Sequence, residues 1–203
     1  MDLIQILISV FILLFSIVVH EYSHGFVAYL NGDDTARVMG RLTLNPLPHI
    51  DLIGTIILPL FLIFLRVPFV IGMAKPVPIN PLLFRNYEKG IFTVGLAGPL
   101  SNILLGIIFS LLYRIYPFVG SEIRDFFLLG GYINITLALF NLIPIPPLDG
   151  SRIISIFLPF DLRMKYERME RYGIFVIILL MSFGVFSWIW PISKNLVNKI
   201  GGG

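Results

Sequence analysis

Four stretches of this chain, residues 3–30, 91–113, 126–148 and 172–190, run for most or all of their length without a charged side chain. The hydrocarbon core of a bilayer, about 30 Å thick, is crossed by roughly 20 apolar helical residues. Inside it every backbone N–H and C=O must be satisfied within the protein, so uncharged runs of this length are expected to be helices. Composition agrees. Of the 203 residues 57% are hydrophobic and 13% charged, about half the charged share of a soluble domain. The fold class expected is an all-α polytopic membrane protein, a single membrane-embedded domain over residues 1–203. The first stretch does not read as a signal peptide: Asp2 is its only early charge, and neither a basic leader nor a small-residue cleavage site accompanies it. Trp188 and Trp190 suit a membrane interface.

A fifth apolar stretch, 52–71, is interrupted by Gly54, Pro59, Arg66 and Pro68. Broken backbone is tolerated at membrane depth only where protein covers it or a cavity wets it, so this stretch is expected to be re-entrant or partly inserted. The net charge of +3 is too small to suggest nucleic acid. With no cysteine, disulfides, thiolate metal ligands and cysteine nucleophiles are excluded.

The chemistry-bearing residues begin near the end of the first stretch, in His20-Glu21-Tyr22-Ser23-His24. Residues four apart share a helix face, so both imidazoles can bind one ion. Glu21, beside the first of them, is placed to take a proton from water at that ion, the division of labour in H-E-x-x-H metalloproteases. Ionisable groups continuous with an apolar span are costly there and point to function. A catalytic zinc usually takes three protein ligands and a water. The third is to be sought in His49, the only other histidine, or in an intramembrane carboxylate. Asp149 is the better candidate. It ends the run Asn141-Leu142-Ile143-Pro144-Ile145-Pro146-Pro147-Leu148-Asp149-Gly150, whose prolines break the helix and can turn a carboxylate sideways. Asp-Gly is also a common turn dipeptide. Gly98, Asn102 and Gly106 form a small-residue stripe, across which Asn102 can hydrogen-bond to a neighbouring helix.

The His20–His24 motif together with Asn141–Gly150 resembles the site-2 protease family of intramembrane metalloproteases, which pairs H-E-x-x-H with a distant N-x-x-P-x-x-x-x-D-G. Ala97-Gly98-Pro99-Leu100-Ser101-Asn102 and Gly40-Arg41-Leu42-Thr43-Leu44-Asn45-Pro46 also look like stretches of that family, the second of its compact bacterial members without a PDZ or CBS domain. The resemblance implies one zinc per chain held by His20, His24 and Asp149, with Glu21 as general base. It implies peptide-bond hydrolysis in or near the membrane spans of single-span substrates within the lipid bilayer. It also points to Asn102, Asn141 and Pro144 as substrate-binding or supporting residues. Asn141 can equally satisfy carbonyls freed by the prolines, and His49 is then a loop residue. The broken segments 52–71 and 144–147 are expected to offer backbone for strand-like pairing with substrate. The other reading of an intramembrane His/Asp site is metal or proton transport, in which Glu21 has no evident task.

Topology follows from two constraints. His20 and Asp149 both come late in their spans, so for the two to meet the spans must run in the same direction with one complete crossing between them. Placing the exit of the first span in the cytosol puts Arg37, Arg41, Arg66, Lys75, Arg85, Lys89, Arg152, Arg163, Lys165, Arg168 and Arg171 inside, out of 15 basic residues. Both arguments give four crossings of the cell membrane and a site toward the cytoplasmic side.

Overall fold

The computed structural model describes residues 3–51, 54, 57, 64, 74–118 and 120–202. All regular structure among them is helical. Helix α1 (Leu3–Leu30) has no proline, and its only glycine is Gly25. It stops at Asn31-Gly32, where Gly32 takes a left-handed conformation (φ 111°) that ends a helix without a Cβ clash. A short helix α2 (Thr35–Val38) follows. The buried Asp33 carboxylate organises this corner. It accepts from the Thr35 N–H and hydroxyl and, at 2.6 Å, from the Asn80 N–H, which ties the stretch 74–80 to the end of α1.

Helix α3 (Tyr87–Ile115) is capped by Asn86, whose side chain accepts from the Lys89 N–H at 2.9 Å, and it carries Pro99 in its interior. Helix α4 (Ser121–Asn141) lies antiparallel to α3, with Gly106 against Ile135 and Gly130 against Phe109. Along α1, Ser16 meets Asn102 and His24 meets Val94, so α1 is also antiparallel to α3 and therefore parallel to α4. The two site-bearing helices thus run in the same direction, with the antiparallel α3 between them in the chain. Helices α1, α3 and α4 are long and apolar enough to cross a membrane.

The expected re-entrant element 52–71 lies outside the described residues, apart from isolated positions. Its flanks meet: the Lys75 N–H donates to His49 O at 2.9 Å, and the Arg85 N–H to Asn31 O at 2.9 Å.

Two expected boundaries differ. The span 126–148 is helical from Ser121 only to Asn141; beyond it Pro144, Pro146 and Pro147 cannot donate to a helix and the chain turns instead. The span 172–190 is not one helix. After α5 (Asp149–Ser155) and α6 (Phe160–Arg168), α7 (Glu170–Ser182) has 13 residues, and turns carrying Gly184 at φ 69° separate it from α8 (Ile189–Gly201). Thirteen residues rise about 20 Å, short of a bilayer core. The two pieces in series lead from Gly173, packed on Pro146, to Gly201, packed on Tyr113 at the far end of α3. Ile177 and Ile189 join them in one cluster with Ile143 and Leu148.

Candidate metal centre

His20 and His24 lie one turn apart on α1, 8% and 7% exposed, facing α3. Their rings meet edge to face, with centroids 4.6 Å apart. Each Nδ1 is committed to a neighbour. His24 Nδ1 lies 2.7 Å from Val94 O. Pro99 supplies no N–H to the carbonyl of Gly95, four residues back, and in this loosened turn the adjacent Val94 carbonyl serves the imidazole. His20 Nδ1 lies 2.6 Å from Asn102 Oδ1. Both rings therefore donate through Nδ1 and turn the bare Nε2 toward each other, 3.0 Å apart.

Asp149 completes the group. The chain leaves α4 and folds back so tightly that a Cβ on Gly150 would overlap Leu142 O. This return brings Asp149, in the first turn of α5, to the histidines: Oδ2 lies 3.1 Å from His20 Nε2 and 3.2 Å from His24 Nε2. Gly98 makes room for all of this. A Cβ there would sit 2.5 Å from His20 Nε2 and closer still to His24 Nε2.

With both protons on Nδ1, three lone-pair atoms converge with no hydrogen between them. Without a cation such an arrangement is repulsive. The ligand atoms of a tetrahedral zinc bound at about 2.0–2.1 Å stand roughly 3.3 Å apart, close to the observed separations. Histidine ligands whose second nitrogen donates to a carbonyl are the usual support of a metal site. The residues fit zinc, and among the described residues this is the group of His, Asp and Glu able to hold an ion.

Glu21 lines the same cavity, of about 330 Å³, and its Oε2 accepts from the Val77 N–H at 2.8 Å. The stretch 74–80, with Pro76 and Pro78 around Val77, runs beside the site. Asn141 also lines the cavity, and its amide donates to Leu137 O at 3.0 Å. The 144–147 segment does not present a strand edge. Its only N–H, on Ile145, donates to Ile143 O, and Pro144 O accepts from the Tyr166 hydroxyl at 2.7 Å. Burial pushes the Tyr166 phenol above its ordinary pKa, so it remains a donor. His49 stands apart from the group, 2% exposed, with Nε2 on Thr43 O at 2.9 Å.

Three contributors escaped the sequence reading: Val94 O, the Val77 N–H and Asn134. Asn134 of α4 is fully buried and bonds to Asn102 at 3.0 Å. An amide in mid-span needs a partner, and that was the available signal.

Known proteins resemble this chain along most of its length. A family model described as peptidase family M50 matches residues 117–184. The "Putative zinc metalloprotease YwhC" of Bacillus subtilis (strain 168) is 38% identical over 188 residues, covering 88% of this chain and 82% of its own. The "Putative zinc metalloprotease Rip2" of Mycolicibacterium smegmatis is 29% identical over 183 residues, 86% of this chain and 68% of its own. The "Putative zinc metalloprotease MJ0611" of Methanocaldococcus jannaschii is 41% identical over 90 residues, 42% of this chain and 46% of its own. No solved structure matches. A zinc-compatible centre framed by span-length helices and a close relative aligned along nearly the whole chain lead to one assignment: the chain belongs to peptidase family M50, the site-2 protease family of zinc metalloproteases.

Proposed function

We propose that this chain is an intramembrane-cleaving endopeptidase of the H-E-x-x-H type, one membrane-embedded domain that hydrolyses peptide bonds in or near the spans of single-span membrane proteins. The observation that carries this reading is the convergence of His20, His24 and Asp149 beside Glu21 in a cavity framed by apolar helices. The three would hold one zinc. When bound, zinc lowers the pKa of a water molecule toward ~7 and polarises the scissile carbonyl. Glu21 is oriented for the proton: Oε2 is held by Val77, leaving Oε1 to take the proton during attack and return it to the leaving amine. A helical substrate hides its carbonyls in i→i−4 bonds and must unwind to be cut. Asn141, in the cavity wall, suits the exposed strand.

The concentration of basic residues at the end of the bundle that holds the site supports placing that end in the cytoplasm, with the cell membrane around the helices. Metal or proton transport is the lesser reading, because family membership and Glu21 both favour hydrolysis. The test is to incubate the purified protein with a panel of single-span substrates, with and without a chelator, and to read products by mass spectrometry. Fragments ending within or beside the span, absent with chelator, are expected. A zinc-loaded protein that cuts nothing in the panel, yet moves metal into proteoliposomes in an Asp149-dependent way, would overturn the proposal.

A further inference from the structure

Behind His20 runs a chain of hydrogen bonds whose direction is set at its far end. Gly130 O, a backbone carbonyl, can only accept, and it receives Asn134 Nδ2 at 2.9 Å. That turns Asn134 Oδ1 toward Asn102, whose Nδ2 donates to it at 3.0 Å. Asn102 must then present Oδ1 to His20 Nδ1, at 2.6 Å. Asn102 Nδ2 has a second contact with Ser16 O, also an acceptor, but at 3.4 Å it is too long to fix the orientation without Asn134. Asn102 and Asn134 are both 0% exposed. Reversing any member would set two acceptors or two donors face to face where no water can mediate. A neutral imidazole has two tautomers, and only the one protonated at Nδ1 leaves Nε2 free for a metal.

We propose that Asn134, which hydrogen-bonds to Asn102 and Gly130 and not to a candidate ligand, is a positioning residue that works through Asn102 to hold His20 in its metal-binding tautomer. This rests on the reading of His20 as a zinc ligand. What matters at residue 134 is then hydrogen-bond polarity, an acceptor toward Asn102 and a donor toward Gly130 O, and not shape alone. Two variants separate these. Asn134→Leu keeps the approximate volume and removes both groups, freeing the Asn102 amide to rotate. Asn134→Asp in its protonated form, which burial favours, keeps both, with O–H in place of Nδ2 and C=O in place of Oδ1.

In the full-length protein in detergent, chelator competition should show zinc bound about 10–100-fold more weakly by Asn134→Leu. Asn134→Asp should bind as the wild type does. Nitrogen-15 spectra of the zinc-loaded protein with labelled histidine should place the His20 proton on Nδ1 in the wild type and in Asn134→Asp, and show a fraction with the proton on Nε2 in Asn134→Leu. With three histidines in the chain, His24→Ala and His49→Ala complete the assignment. Wild-type affinity and tautomer in Asn134→Leu would overturn the proposal. Should that variant not fold, loss of zinc affinity in an Asn134→Asp protein of unchanged melting temperature would overturn it equally. Failure of the underlying reading looks different: His20→Ala would then bind zinc as tightly as the wild type.

Discussion

Gly98→Ala is the smallest change that should dismantle the centre. The added Cβ would sit 2.5 Å from both Cε1 and Nε2 of His20, against about 3.5 Å for a comfortable carbon contact. Roughly 1 Å must be found. Helix α3 cannot yield it freely, because the same helix supplies Asn102 Oδ1 and Val94 O. Withdrawing it by that much would stretch contacts of 2.6 and 2.7 Å to about 3.6 Å, beyond hydrogen-bonding range. If the rings turn instead, Nε2 leaves the shared centre, and a 1 Å misplacement costs about 100-fold in rate. Overpacking of this kind costs about 1–3 kcal/mol, so the fold should survive with a lowered melting temperature. Zinc affinity should fall at least about 10-fold and cleavage about 100-fold. Chelator competition, thermal melting and a cleavage assay on one preparation read all three. Gly95→Ala is the milder comparison: its Cβ would meet Ile153 Cγ1 at 3.1 Å, which a few tenths of an ångström relieve, and its zinc affinity should fall much less than that of Gly98→Ala. A Gly98→Ala protein with wild-type affinity and rate would refute the steric argument.

Glu21→Gln should keep zinc and lose about 10²–10⁴-fold in cleavage, since the amide cannot take the proton; loss of metal, measured by elemental analysis, would make Glu21 a ligand or a structural group. Asp149→Asn should weaken zinc binding while His49→Ala leaves about one zinc per chain, and the reverse pattern would exchange their roles. Because the chain has no cysteine, single cysteines can report topology. Those at Arg85 and Arg163 should react with an impermeant thiol reagent from the cytoplasmic face, and one at Tyr116 only from outside. External labelling at Arg85 would contradict the orientation proposed from the basic residues.

The local parts of this molecule were legible in its sequence. The bounds of α1 and the pairing of His20 with His24 follow from uninterrupted hydropathy and from helical spacing over four residues. The prolines at 144, 146 and 147 announce the break after α4, but Leu142, Ile143 and Ile145 carry the hydropathy across it and hide where the helix stops. The break at 183–188 was invisible for a similar reason: Phe183, Val185, Phe186 and Trp188 are as apolar in a turn as in a helix. Asp149 was reached by its isolation as a carboxylate at the end of an uncharged run and by the resemblance, since no periodicity links residues 125 positions apart. The supporting shell was illegible for a plainer reason. Val94 O and the Val77 N–H are backbone groups that every residue carries, and only the fold selects them.

The centre also joins α1 and α5, two helices that each lean on α3 rather than on one another. His20 and His24 belong to the bundle of α1, α3 and α4, whereas Asp149 starts α5 at the end of a proline loop on which α7 rests through Gly173 and Ile177. A bound zinc is thus a rivet between the bundle and its C-terminal wall. Anything that binds only the native state stabilises it by mass action, about 2.7 kcal/mol at a hundred times the dissociation constant. The seam between α1 and α5 would then loosen as zinc becomes scarce, and the enzyme's resistance to unfolding would follow the metal supply of the cell along with its activity.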